Sequence, residues 1–377
     1  MFSYWEKKHF FHYDLIVVGS GFVGLSSAIH FKEKFPKASV LVLERGVFPT
    51  GASTKNAGFA CIGSLTEILD DFWHMTHAEV LALVERRYKG LKSIRKQFGE
   101  KNLGYAHTNG YELLDEEMLR ALEQLPGVNK LLRPLFKEDV FSQVKNPEKM
   151  GFANQIKAVV KNKFEGELDP GLYMTSLWRL AQSVGIRILT GVTVCEVSQD
   201  EGIVLGEDGA GEGEVNLEFK AKKIAICTNA FTEKLWQDSA IQPGRGLILL
   251  SKPLDFKIPW KGTFHMDKGY VYFRQIDGRL LLGGARNVDF EGEKSMEFKV
   301  NPKIKSHLET LAKEVIFPNK PIVWDTEWTG IMAFGKIKSP LIRQVGVKTV
   351  VAVRLGGMGV AIGWQVGKEL SILLSKM

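Results

Sequence analysis

The residues best suited to chemistry in this chain are a set of glycines and one acid. Gly19-x-Gly21-x-x-Gly24 follows the apolar run Leu15-Ile16-Val17-Val18, and Glu44 closes a second run, Val40-Leu41-Val42-Leu43, twenty residues after Gly24. Gly19 suits a tight turn, Gly21 a close approach of backbone to a pyrophosphate, and Gly24 the packing of helix on strand. Phe22 and Val23 lie within this turn, and Leu25-Ser26-Ser27-Ala28-Ile29 starts a helix whose free N–H groups and partial positive charge complement phosphate. A carboxylate at Glu44 is spaced to accept hydrogen bonds from ribose hydroxyls. Together these residues predict the binding of a dinucleotide with an adenosine half.

A second glycine-rich loop, Arg354-Leu355-Gly356-Gly357-Met358-Gly359-Val360, enters the closing helix at the far end of the chain. A helix N-terminus there offers fixed donors to the negative charge that gathers around N1 and C2=O of a reduced flavin. An NAD enzyme does not need this second element; FAD, long enough to reach both glycine loops, does. Between them runs Pro49-Thr50-Gly51-Ala52-Ser53-Thr54-Lys55-Asn56-Ala57-Gly58-Phe59-Ala60-Cys61. Its small residues suit backbone wedged against a flat ring system. Cys61 is expected to be an inert buried thiol, with the flavin held non-covalently.

These loops need a scaffold. The β-branched first run reads as a parallel strand buried on both faces, which predicts an α/β fold with a Rossmann-like FAD-binding domain. Val80, Leu81, Val84, Tyr88, Leu91, Ile94 and Phe98 recur at helical spacing, and a further helix is expected near Glu116–Leu125. Asp169-Pro170 caps a helix that ends at Gly185. Ile186–Leu189 reads as a further sheet strand, Val192–Val197 opens a small antiparallel layer, and the polar stretch 206–214 reads as a loop tip. Lys223–Cys227 and Thr349–Val353 are buried strands, the first running into Thr228-Asn229-Ala230. Gly269–Arg274 and Arg279–Gly284 flank the turn Ile276-Asp277-Gly278, a hairpin signal. The expected division is a discontinuous FAD-binding domain (1–75, 151–231 and 325–377) and an inserted antiparallel-sheet substrate domain (76–150 and 232–324).

Composition narrows the function classes. The 377 residues are 45% hydrophobic and 25% charged, as in ordinary globular chains. The net charge of +7 is scattered rather than blocked, which reads as a solvated surface rather than a nucleic-acid face, with a positive field that favours anionic substrates. Three cysteines without metal-ligand spacing point to a reducing compartment, and the charged start at Glu6-Lys7-Lys8 lacks the apolar core of a signal peptide. No run is long enough to span a membrane, so the expected location is cytoplasmic. The sequence is silent on oligomeric state.

In order along the chain, these stretches resemble the D-amino-acid oxidase, glycine oxidase and sarcosine oxidase family of FAD enzymes. The marks are Asp14–Gly24, Glu44-Arg45, Gly51-Ala52-Ser53 through Asn56-Ala57-Gly58, Leu168-Asp169-Pro170, Val194, Thr228-Asn229-Ala230, Pro243–Gly246, Asp277–Arg279 with Gly283-Gly284, and Gly356–Gly359. Ser3-Tyr4-Trp5-Glu6 and the Gly-Ala-Ser-x-x-Asn-x-Gly loop look closest to the gamma-glutamylputrescine oxidase branch. The resemblance implies oxidation of a C–N bond, with hydride passing from substrate carbon to flavin N5 and the imine hydrolysing in water. O2 or another acceptor then takes the electrons. Tyr270 matches the tyrosine that such enzymes place over the flavin.

One departure bears on substrate. Amino-acid-oxidising members usually carry an arginine shortly after Trp-x-Gly to hold the carboxylate; here Trp328-Thr329-Gly330-Ile331 is followed by Met332. That favours an amine or an N-substituted compound, unless Arg274, Arg286, Arg343 or Arg354 substitutes. Arg274 shares a hairpin with Tyr270 and is the first arginine to test. Two other readings are a flavoenzyme that modifies a tRNA side chain and a flavin-binding subunit without turnover of its own.

Overall fold

A computed structural model of the chain describes residues 1–208, 216–238 and 240–377. Most of the loop tip expected within 206–214 therefore lies outside the described residues; Ile203–Asp208 is strand. The first sheet is built on His12–Val18, paired in parallel with Val40–Leu43 on one side and Asn216–Ile226 on the other. Thr349–Val353 extends it beyond Asn216–Ile226, and Arg187–Leu189 beyond Val40–Leu43. Register places Val18 beside both Leu43 and Ile226, and Ile226 beside Val351. Four strands therefore end together. The turn at Gly19, Glu44, Thr228 and Arg354 all leave from this one edge, the crevice where open α/β sheets bind ligands.

The second sheet is mostly antiparallel, in the order Trp324–Phe334, Gln242–Ser251, Arg279–Gly284, Val271–Ile276, Thr263–Met266, Gly110–Leu114, Ala158–Asn162, Phe141–Gln143. Its Asp277-Gly278 turn has φ of 50° and 72°, the left-handed pair a two-residue hairpin requires. Asp169 caps the helix Pro170–Ser183 by accepting from the N–H groups of Gly171 and Leu172. The α/β fold with an antiparallel-sheet unit is thus as expected.

Its internal boundaries differ. The helix His77–Phe98 was expected with the substrate domain, yet it packs on the closing helix Gly359–Leu374. A Cβ on Gly90 would lie 1.9 Å from the Ala361 carbonyl oxygen, so only glycine permits this approach. Conversely, Ala158–Asn162 and Trp324–Phe334 belong to the second sheet, although both fell largely in stretches assigned to the FAD-binding domain. The helix expected near 116–125 spans Ala121–Phe136, buried through Val128, Leu132 and Phe136. Residues 115–120 form turns instead, with the Asp115 carboxylate accepting from Met118 N–H.

Candidate functional site

At the shared edge of the first sheet lies a cavity of about 230 Å³, lined by Gly19, Gly21, Phe22, Val23, Glu44 and Arg45 among others. Gly19 has φ of +98°, and a Cβ on Gly24 would lie 1.9 Å from the Gly19 carbonyl oxygen. The turn therefore closes only with glycine at both positions. Gly21 begins the helix Phe22–Lys34 with no side-chain cap of its own; Ser53 Oγ accepts from Phe22 N–H instead, at 3.1 Å. This cradle of backbone N–H groups and missing Cβ atoms fits a pyrophosphate.

Glu44 is 9% exposed and lines the same cavity. One carboxylate oxygen accepts from Ser20 N–H and Oγ–H at 3.2 and 2.5 Å, the other from Gly46 N–H at 2.9 Å. The second oxygen keeps a lone pair for a ligand hydroxyl. Beyond it, the Arg45 guanidinium stacks at 4.4 Å on Phe231. Thr193, Val194, Thr228 and Asn229 complete this end, with Gly51, Ala52, Ser53 and Asn56 along the side. We expect Glu44→Ala to weaken FAD binding by about 1.5–3 kcal/mol, roughly 10- to 150-fold in Kd, with the bound flavin spectrum unchanged. Calorimetric titration of apoprotein checks this, and an unchanged Kd would mean that Glu44 makes no ribose contact.

A second cavity, of about 370 Å³, adjoins the first. Ala52, Asn56, Met332, Gly356, Gly357 and Val360 line both. Gly356 and Gly357 have φ of 57° and 81°, and a Cβ on Gly357 would point at Met332 Sδ, 3.8 Å away. The closing helix has no side-chain cap, so its first N–H groups remain for whatever fills this junction. A flat ring reaching in from the dinucleotide cavity is what this junction fits. Ala57, Gly330 and Met358 line the second cavity alone, with Gly359 on the first; Tyr270, Tyr272, Phe59 and Phe334 form an aromatic wall.

Some residues expected at the site line neither cavity. Gly24 lies beneath the turn, and Gly58 sits with its Cα against Leu168, where a Cβ would meet the carbonyl oxygen at 2.1 Å. Ala230 is wholly buried in the core. Arg354 is a strut: its guanidinium donates to the carbonyls of Ser339 and Ala240, and its N–H to Asn229 Oδ1. Arg274 also corrects an expectation. It is 4% exposed, its guanidinium 3.4 Å from a Glu167 carboxylate oxygen and donating to the Leu168 carbonyl. Two positions along the strand from Tyr272 it has passed the end of the cavity and is covered by the Gly58 turn.

The sequence reading missed a charged group on the other wall. Glu67 and Asp71, on the helix Leu65–Asp71, both meet Lys338 Nζ, at 3.3 and 2.6 Å. Glu67 also pairs with Arg87, which is 1% exposed, at 3.2 Å. Burial raises the Glu67 pKa, but Lys338 and Arg87 outweigh it and hold the value at about 2. Lys268 pairs with Asp70 at 2.8 Å. His265 Nε2 lies 3.4 Å from Glu165 Oε2, longer than a good hydrogen bond. Burial lowers the His265 pKa, yet Glu165 and its neighbouring acids raise it overall. Cys61 lines this cavity too, and burial, then Glu165, pushes its thiol well up, away from nucleophilic thiolate.

Glu67 has a folded-state pKa below the ordinary carboxylate value, so its stabilisation is complete above about pH 4.5 and fades toward pH 2. Lys338→Met removes the leading attraction and lets burial raise that pKa. We expect the acid limb of a Tm–pH profile to move to higher pH. Because the Lys338 side chain is 36% exposed, the loss should be smaller than the about 3–5 kcal/mol of a fully buried pair. An acid limb that stays in place would show that Arg87 alone holds the carboxylate.

Among the described residues, no helix is long and apolar enough to cross a membrane. Ser3-Tyr4-Trp5-Glu6 forms a capping box for the exposed helix Tyr4–Phe10, a local reason for that pattern away from both cavities. The family model described as FAD dependent oxidoreductase matches residues 14–372. A curated relative, the bifunctional protein ThiO/ThiG of Synechocystis sp., is 24% identical over 296 residues, covering 74% of this chain; the chain spans 39% of that relative's length. Glycine oxidase from Geobacillus kaustophilus has a similar structure, with TM-score 0.76 and 17% identity over 97% of this chain and 95% of that one. So has L-proline dehydrogenase from P. horikoshii, with TM-score 0.74 and 17% identity over 96% and 93% of the two chains.

Proposed function

This chain belongs to the FAD dependent oxidoreductase family, and from that premise we propose that it oxidises a C–N bond of a small amine, N-substituted amine or amino acid in the aromatic-walled cavity. The observation that carries the reading is the wall shared by the two cavities at Asn56, Met332, Gly356 and Gly357. It lets a dinucleotide slot open onto a separate chamber sized for a small molecule.

Gly19, Gly21, Phe22 and Val23 would hold the pyrophosphate, Glu44 the ribose, and the 51–57 and 356–360 loops the ring. When bound, the flavin supplies a two-electron acceptor; the substrate carbon gives up hydrogen with its electron pair, nitrogen gives up a proton, and water converts the imine to a carbonyl and free amine. The chain supplies position and field. Tyr270, Tyr272 and Phe59 exclude water from one side, and the first N–H groups of Gly359–Leu374 face the charge that develops at the junction. His265 and Glu165 are buried against one another rather than aimed at a substrate, so the substrate amine would react in its neutral form without a dedicated base from this pair.

The test is anaerobic mixing of the yellow protein with a panel of amines and amino acids, following loss of the oxidised flavin band. Saturable bleaching by a member of the panel is the expected result. A flavin that none of them reduces would overturn the reading.

A further inference from the structure

The second cavity is edged by five lysine and arginine side chains, two of them already ion-paired. Lys268 is held by Asp70 and Lys338 by Asp71 and Glu67. Lys336 is exposed on the rim, and Lys55 Nζ is turned onto the ring of Phe298, itself 47% exposed. Arg286 differs. Its guanidinium lies 3.8, 5.0 and 5.5 Å from the ring centroids of Phe334, Phe290 and Tyr270. Among the described residues it has neither a carboxylate within 4.0 Å nor a hydrogen-bond acceptor, although it is half-buried on the cavity wall.

The backbone fixes Arg286 there. Gly284 and Ala285 both adopt positive φ, 99° and 57°, directly after the strand Arg279–Gly284. Ala285 N–H donates to the Tyr270 carbonyl at 2.7 Å, which binds the start of the Arg286 segment to the neighbouring strand beside Tyr270. A non-glycine residue in the left-handed region persists only where its surroundings hold it. Ring faces attract a guanidinium but accept none of its five N–H bonds along the edge, and partly desolvated donors without acceptors are costly. A planar, bidentate anion removes that cost.

We propose that Arg286 grips the carboxylate of the substrate, in place of the arginine absent at Met332, so that the substrates are amines carrying a carboxylate: amino acids or N-substituted amino acids rather than simple amines. This rests on the amine-oxidation reading above. Met332 stands between Gly246 and Gly357 at the junction, two residues along the strand Trp324–Phe334 from the Phe334 ring that carries Arg286, and its thioether offers an apolar wall. The anion-binding role has moved from one strand of the second sheet to the end of another.

The experiment uses flavin-loaded parent, Arg286→Met, Arg286→Lys and Lys336→Met. Unreactive carboxylates, acetate and benzoate, are titrated first by perturbation of the flavin spectrum, giving a Kd independent of turnover. Arg286→Met should weaken that Kd by about 100-fold and Arg286→Lys by about 10-fold, since lysine keeps charge but loses the planar fork, while Lys336→Met should stay within about two-fold. Anaerobic reduction is then compared for matched pairs, such as alanine with ethylamine and proline with pyrrolidine. The parent should prefer the acid of each pair, and Arg286→Met should lose that preference through substrate Kd. Unchanged carboxylate Kd in Arg286→Met, or loss only in Lys336→Met, would overturn the assignment. If no pair member reduces any protein, the oxidation reading fails, and the carboxylate titration still decides the role of Arg286.

Discussion

Gly21→Val should yield a folded protein that has lost most of its flavin. Gly21 has φ of −69° and ψ of −178°, an extended conformation that a β-branched residue adopts without strain. Its added Cβ would meet only Ser53 Oγ, at 3.0 Å, the far end of a small side chain. The remaining methyl groups have the cavity to occupy, in front of the Phe22 N–H that Ser53 now engages. The expected loss in FAD affinity exceeds that of one charged hydrogen bond, about 1.5–3 kcal/mol, because several donors are screened together. Flavin-to-protein ratio and Tm should be measured side by side with Gly24→Ala. That change drives a Cβ to 1.9 Å from the Gly19 carbonyl oxygen, so it should lower Tm as well as flavin content. A parental flavin ratio in Gly21→Val would mean the first turn is not the phosphate site.

The two glycine loops were legible because each is local. Strand, turn and helix follow one another within thirteen residues at Leu15–Ser27, and the Asp277-Gly278 hairpin is decided by two positive φ angles side by side. The allegiance of His77–Phe98 was not legible. Its apolar stripe says that one face is buried but not against what, and the deciding feature, Gly90 under Ala361, joins residues 271 positions apart. The same holds for the charged wall. Glu67, Arg87 and Lys338 come from three elements, and nothing near Lys338 in sequence marks it as the partner of two acids.

Arginine is the instructive case. Arg274 was the first choice because it shares a hairpin with Tyr270, yet pairing in a hairpin says which face a side chain takes and not how far the cavity extends. Arg274 passes the cavity and pairs with Glu167, whereas Arg286, beyond the strand end, turns back beside Tyr270 through Gly284 and Ala285. Two consecutive left-handed residues, one of them alanine, leave no reliable mark in sequence.

Gly357→Val should slow flavin reduction and weaken sulfite binding while leaving the Gly19–Gly24 turn and Glu44 intact. Gly357 has φ of +81°, where a β-branched residue is strained, and its Cβ position is open except for Met332 Sδ at 3.8 Å. Valine there must either push the 356–359 backbone back or fill the junction that both cavities share. Either way, the first N–H groups of the helix Gly359–Leu374 would be shifted or screened from the junction, where they would meet the pyrimidine edge of a bound flavin. One preorganised donor to developing charge is typically worth about 2.7–4 kcal/mol, roughly 100- to 1,000-fold in rate. Sulfite adds negative charge at the same N1 and C2=O edge, so its Kd should rise in parallel without any substrate being involved. Gly357→Ala separates the two causes. It carries most of the backbone strain but little of the bulk, so a sulfite affinity close to the parent would assign the effect to displacement from the junction. With FAD saturation confirmed, equal sulfite affinity in parent and Gly357→Val would reduce this loop to ordinary helix entry and remove the second helix terminus from the catalytic field.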